Sequence, residues 1–429
     1  MLSSKINEFY SKNFINLLIC LLPISFIAGN LVINLNLVLI IFFSFLFYGK
    51  ELFQIKLFFF DKILIAIFAF VFLTSVINSI DYKDDIQTSL ETFTLKKTLS
   101  FFRFLFFYFV IRFLIEKEIF NFKYFFISAS FCSIFVSLDL IYQLVNGKDV
   151  FGFTSESYKL AGPFGDEQIA GSYLQRFSIF SFFLILIYFP DLSYKAKFGL
   201  FSFLLVLFFY TIFLAGNRMP IILFILFWIF LFFFENKLRK FAILFFGSLL
   251  IISYLIFQFN DQVTNYTLEF FKMSIQILNF LPKLFSGENL SEFPNTYIKE
   301  FYSGLMAWKE NLFIGGGINS FHYNCIKTVN ACASHPHNYY LEILSENGLI
   351  GMILWGVSFL YIAYVSIVKK YFLKSDFKNN HLITPFALLF LVEIFPIKTT
   401  GSFFTTGNAT FIFFILSAII ALSRKSQYN

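Results

Sequence analysis

Two of the chain's four histidines flank one proline in the run Ser334-His335-Pro336-His337-Asn338, at the mouth of a long apolar segment that also carries Glu342 and Glu346. An imidazole is the side chain best placed to exchange a proton near neutral pH. Pro336 fits the first turn of a helix, where its missing N–H costs nothing, and Ser334 suits the cap. On that reading His337 and Asn338 sit in the first helical turn. Free N–H groups there favour an anion such as phosphate, and the same positive end keeps an imidazole neutral. A neutral histidine beside an anion suits a general base that deprotonates a hydroxyl. Taken alone, the segment reads first as polar caps at a membrane interface. Glu342 and Glu346 share one helix face. Carboxylates within an apolar span are costly, so this pair orients partners or lines a wet cavity.

Other residues add to that chemistry. Arg218 closes the turn Ala215-Gly216-Asn217 and precedes Met219-Pro220. Its planar, permanently charged guanidinium matches phosphate oxygens; the alternative is an arginine snorkelling to lipid headgroups. Residues 298–321 read as a short amphipathic helix closed by Gly315-Gly316-Gly317, glycines that would let backbone approach a ligand closely. Cys325 and Cys332 suit a disulfide or free thiols in an oxidising compartment. With His322, His335 and His337 nearby a zinc site is conceivable, but the spacing matches no standard ligand pattern. Arg103, Asp139, Arg176 and Glu393 fall within apolar spans and read as ion pairs inside the bundle, with Arg103 and Arg176 near enough to the outer ends to enlarge an anion site.

The elements that must position these groups are membrane helices. The chain has 429 residues, 58% hydrophobic and 14% charged, with 72 phenylalanines and a mean hydropathy of +0.75. That composition excludes an ordinary soluble domain and predicts an all-α polytopic membrane protein. A span needs roughly 20 apolar residues, and about twelve candidates follow on that criterion, near 13–29, 31–48, 63–79, 98–115, 124–145, 173–189, 198–215, 219–235, 241–259, 339–367, 382–397 and 409–423. The first carries no cleavage site and reads as a retained span. The net charge of +7 follows the positive-inside rule and does not call for nucleic acid. With both ends cytoplasmic, the inside loops hold most lysines, including Lys50, Lys56, Lys62, Lys117, Lys369, Lys374 and Lys378. The outside loops hold few, among them Lys83, Lys96, Lys97, Lys148, Lys159, Arg218 and Lys398. The loop 146–172, the Arg218 turn and the long segment 260–338 then share the outer face. Residues 1–429 read as one membrane domain with 260–338 as its external elaboration.

The string His335-Pro336-His337-Asn338-Tyr339-Tyr340-Leu341-Glu342, running on to Gly348-Leu349-Ile350-Gly351, resembles the signature of bacterial O-antigen ligases and the related O-antigen polymerases. Gly315 to Phe321 is similar to that family's glycine–phenylalanine turn, and Leu214 to Arg218 to its arginine turn. Gly162-Pro163-Phe164-Gly165-Asp166 is similar to its first external-loop motif, so the likeness covers roughly residues 150–355. The resemblance implies a GT-C-like membrane fold with one long periplasmic loop in the bacterial inner membrane. It implies a glycosyltransferase that needs no metal or cofactor, with its active site facing the periplasm. The implied donor is a glycan on undecaprenyl diphosphate, and the acceptor is the lipid A core for a ligase or a lipid-linked glycan for a polymerase. His337 would activate the acceptor hydroxyl and Arg218 would hold the diphosphate, with Lys299 in place of a family arginine and His335 and Asn338 as further substrate contacts. Lys159 stands where relatives often have arginine. A polymerase of lipid-linked repeat units is the alternative function, and a multi-span transporter the third; no repeat symmetry favours the latter.

Overall fold

The computed structural model describes residues 2–81, 88–154, 159–259, 268–269, 272–273, 275–280, 282, 293–328, 332–373, 381–399 and 401–425. Parts of the expected external segment (260–267, 283–292 and 329–331) lie outside these, as do Lys83, Lys374 and Lys378.

In lipid every backbone polar group needs an internal partner, which long apolar runs meet by forming helices. In chain order these are α1 (Leu2–Ala28), α2 (Asn30–Leu52), α3 (Phe59–Asp81), α4 (Thr88–Glu116), α5 (Phe122–Asn146), α6 (Ala170–Phe177), α7 (Ile179–Tyr188), α8 (Tyr194–Leu214), α9 (Arg218–Phe234), α10 (Arg239–Phe259), α11 (Thr296–Glu310), α12 (Phe321–Thr328), α13 (Tyr339–Ala363), α14 (Ile383–Glu393) and α15 (Thr406–Lys425). A π-helical stretch, Tyr364–Phe372, prolongs α13. Among the described residues nine helical segments are long and apolar enough to cross a membrane, and α9 and α14 are shorter apolar helices. The expected twelve is therefore not reached on that criterion. The fold is all-α and polytopic. In α15, 83% of the apolar window is buried, against 28% in α2, which makes α15 the central helix and α2 peripheral. Phenylalanine supplies much of the core: Phe101, Phe104 and Phe68 surround Phe413, and Trp228 lies among Phe182, Phe201 and Phe245.

The intramembrane charges separate into two kinds. Arg176 and Glu393 form the expected ion pair, with Nε to Oε1 at 2.8 Å and Nη2 to Oε2 at 2.9 Å. Among the described residues Asp139 and Arg103 do not pair with an opposite charge as expected. The Asp139 carboxylate accepts the Val150 N–H at 2.8 Å, and Arg103 Nη2 donates to the Thr406 hydroxyl at 3.2 Å. In both cases a polar partner of a neighbouring segment meets part of the group, while among the described residues Asp139 Oδ2 and Arg103 Nε stay buried without a hydrogen bond. Unforeseen pairs lie at the opposite end of the bundle from Arg218. Arg112 bridges to Asp61, whose other oxygen takes the Tyr108 hydroxyl at 2.7 Å, and Lys370 meets Glu235 at 2.8 Å.

The described part of 260–338 is ordered on the bundle, not a plain loop. Helix α11 is capped by Asn295, whose side chain accepts the Ile298 N–H at 3.0 Å. It buries Ile298, Phe301 and Leu305 against Leu341. Cys325 and Cys332 are joined in a disulfide with a Cα–Cα distance of 6.0 Å, which settles the choice left between disulfide and free thiols.

Candidate active site

The helix start that follows the histidines differs from expectation. Asn338, not Ser334, caps α13: its side-chain oxygen accepts the N–H groups of Tyr340 at 3.0 Å and Leu341 at 3.2 Å. His337 therefore precedes the helix, with a backbone φ of 50°. That left-handed conformation is uncommon outside glycine, and histidine is one of the side chains that adopt it. Pro336 stays outside the helix as well. The physical reason is position: Asn338 immediately precedes the apolar run, within reach of the Tyr340 and Leu341 N–H groups. Asn338 Nδ2 also donates to the Pro396 carbonyl at 2.8 Å, fastening α13 to the segment between α14 and α15. Both ends of its amide are thus engaged in positioning.

The glycine turn also differs. Its backbone approaches a helix, where a ligand was expected. Gly316 and Gly317 N–H donate to the Ser345 and Glu346 carbonyls at 3.1 and 2.8 Å, and Leu349 and Ile350 N–H donate back to Leu312 and Phe313 at 2.9 and 3.1 Å. Helix α13 breaks at Gly348 to permit this. Glu346 faces the backbone N–H groups of Asn319 and Phe321, and Glu342 accepts the Phe403 N–H at 2.6 Å. Of the two readings for these carboxylates, orienting partners is the one observed.

Arg218 and His337 line one cavity of about 350 Å³ with Lys159, Tyr297, Met273 and Thr399. Arg218 opens α9, so the positive end of that helix adds to its charge. Gly216, with φ of 71°, lets Lys159 approach: a Cβ there would stand 2.8 Å from the Lys159 side chain. From α11 the wall takes Tyr297, and Lys299 is not among the residues lining this cavity. The lysine that reaches it is Lys159, because α11 turns its Tyr297 face to the cavity.

Glu300, which sequence reasoning missed, lies one turn before Gly304, where α11 comes close to Pro336 and Leu341. Its Oε1 is 3.6 Å from His337 Nε2. Burial lowers the His337 pKa below the usual imidazole value and raises Glu300 to about 7. The His335 ring lies 4.2 Å from that of His337, tilted by 45°, and its pKa falls to about 4, through burial first and repulsion from His337 second. The available signal for Glu300 was its place one helical turn from the only glycine of α11.

Residues 203–356 match the profile of a family described as O-antigen ligase. That match, over about a third of the chain, supports a place in the O-antigen ligase superfamily. No curated protein matches it in sequence. The matched segment holds Arg218, Glu300, the glycine turn, His337 and the α13 break, whereas Lys159, Arg176 and Lys398 lie outside it. Likeness to this family over that segment supports a glycosyltransferase-like membrane enzyme working on lipid-linked glycans. Among the described residues no group of three His, Cys, Asp or Glu side chains is placed to hold a metal ion.

Proposed function

We propose that the protein is an O-antigen ligase, transferring a glycan from undecaprenyl diphosphate to the lipid A core at the periplasmic face of the inner membrane. The observation that carries this reading is the cavity shared by Arg218 and His337. A phosphate-binding cation and a proton acceptor in one chamber meet the needs of displacement at a sugar carbon. The acceptor hydroxyl attacks the anomeric carbon as its proton passes to His337. The bond from that carbon to the diphosphate oxygen breaks, and the lipid diphosphate leaves with both bonding electrons. Arg218, Lys159 and the α9 N-terminus offset the charge that develops there. Nε2 of His337 is the nitrogen beside Glu300, which leaves Nδ1 to take the proton while ionised Glu300 stabilises the imidazolium that forms. His335 flanks this base as a ring partner, and Asn338 and Lys299 act in positioning more than in contact with substrate.

Deletion of the gene is expected to leave bare lipid A core with lipid-linked polymer accumulating. Core bearing a single repeat unit would instead assign the polymerase reaction. In the purified enzyme Arg218→Ala is expected to raise the donor KM by roughly ten- to a hundredfold, the value of one charge-assisted hydrogen bond. An unchanged donor dependence removes Arg218 from the site. Glu300→Gln is expected to lower the rate by a similar factor and to reshape its pH profile. Below about 7 Glu300 is protonated and cannot support the imidazolium, so wild-type activity falls as pH drops through that value. The variant should keep only the fall due to His337 itself, below the ordinary imidazole value of 6.5. An identical profile in both proteins refutes the pairing.

A further inference from the structure

A second cavity, of about 270 Å³, adjoins the first and shares Ile169, Ser172 and Gly401 with it. Two buried cations reach its wall. Arg176 is 8% exposed and Lys398 3%, and both contact the one buried carboxylate of Glu393. Arg176 Nη2 also donates to Asn408 Oδ1 at 2.7 Å, and Lys398 Nζ to the Tyr339 hydroxyl at 3.3 Å. Glu393 itself does not line the cavity; the carboxylate that does, Glu167, is exposed to solvent. The buried charge is thus one positive unit in excess, and such a charge is costly without a compensating anion. A second observation is independent of charge. Gln175 lines the cavity, is 2% exposed, and its Nε2 has no hydrogen-bond partner. A buried amide donor of this kind is normally satisfied. The same wall carries an aromatic run: Phe164 and Tyr173 rings are 5.5 Å apart, Tyr173 and Phe177 4.7 Å, and Phe177 and Phe26 5.1 Å. Cations, amides and aromatic faces together suit a pyranose ring bearing an acidic group. The volume lies just under the roughly 300–1,000 Å³ of pockets that enclose larger ligands, so one ring fits, not an oligosaccharide.

We propose that this second cavity binds a single acidic sugar residue, carrying a carboxylate or phosphate, of the acceptor glycan. The inference rests on the transfer reaction proposed above, since the shared wall places an acceptor ring held here beside the chamber of His337. Neither Arg176 nor Lys398 falls in the family segment, and neither is needed for donor binding at Arg218.

The test uses the full-length protein in detergent or nanodiscs. Glucuronate and inorganic phosphate are titrated against thermal unfolding, with glucose as the neutral control, and binding of undecaprenyl diphosphate is measured separately. Glucuronate is expected to stabilise the wild type at concentrations at least about tenfold below glucose, the effect of one charge-assisted contact. Gln175→Leu, which removes an unpartnered amide, should fold normally and lose glucuronate binding by about tenfold while keeping the lipid diphosphate. Lys398→Met, which leaves the Arg176–Glu393 pair in place, should abolish the preference for glucuronate over glucose. In the transfer assay Gln175→Leu should raise the acceptor KM and leave the donor KM unchanged. Equal binding of glucuronate and glucose by the wild type overturns the proposal, as does a rise confined to the donor KM. Failure of the wild type to bind undecaprenyl diphosphate or to transfer glycan would sink the ligase reading instead, leaving the glucuronate result to stand or fall alone.

Discussion

Substituting His337→Asn is expected to reduce glycan transfer by about 10²–10⁴-fold, the usual contribution of a positioned base. Asparagine is the informative choice because, like histidine, it tolerates the left-handed backbone, and the φ of 50° at this position then survives. An alanine variant would confound lost chemistry with altered backbone at the entrance to α13. Expression and thermal unfolding should match the wild type, since the ring is beside His335 and Glu300 at the cavity and precedes α13. Surface polysaccharide from a strain carrying only this variant is the measurement, and a normal ladder of polymer-bearing lipopolysaccharide would remove His337 from the reaction. In the wild type, burial lowers the pKa of this ring and favours its base form near neutral pH.

A loss of a different kind is expected from Gly348→Ala: about 3 kcal/mol or more of stability. Gly348 has φ 65° and ψ −169°, a region essentially closed to residues with a side chain. A Cβ there would stand 2.4 Å from the Phe313 carbonyl carbon and oxygen. Facing it, Gly315 would place a Cβ 2.4 Å from the Glu346 carbonyl carbon. Two backbones therefore meet where neither can carry a side chain, and the four hydrogen bonds between them depend on that contact. The same joint fixes α13 relative to the segment that carries α11, and so fixes His337 relative to Glu300. Gly356→Ala is the control in the same helix. Its Cβ meets nothing within 4 Å, and alanine there should be neutral or stabilising by about 0.5–1 kcal/mol. Thermal unfolding with size-exclusion monodispersity checks both, and a Gly348→Ala protein as stable as wild type would show that the helix break is dispensable.

Much of this protein is determined by properties that accumulate along the chain. The apolar runs and sparse charges were enough to specify membrane helices, because lipid leaves the backbone no other way to satisfy its hydrogen bonds. That Arg218 and His337 lie on one side of the bundle was likewise legible from the alternation of spans, and one cavity holds both. What only the tertiary structure decided is where distant segments meet. Asn338 took the cap from Ser334 because its amide also reaches Pro396, a residue 58 positions away. Lys159 reaches the cavity and Lys299 does not, because Gly216 admits one and the orientation of α11 turns the other aside. Glu300 gained its importance from packing at Gly304, and the glycine turn met α13 where a ligand was expected. The pairing of Arg176 with Glu393 was foreseeable as a type, but the excess charge beside it came from Lys398 folding back to the same carboxylate. Hydropathy and charge are local sums that a sequence displays directly; the convergence of side chains on a cavity depends on non-local helix packing, which no single segment encodes.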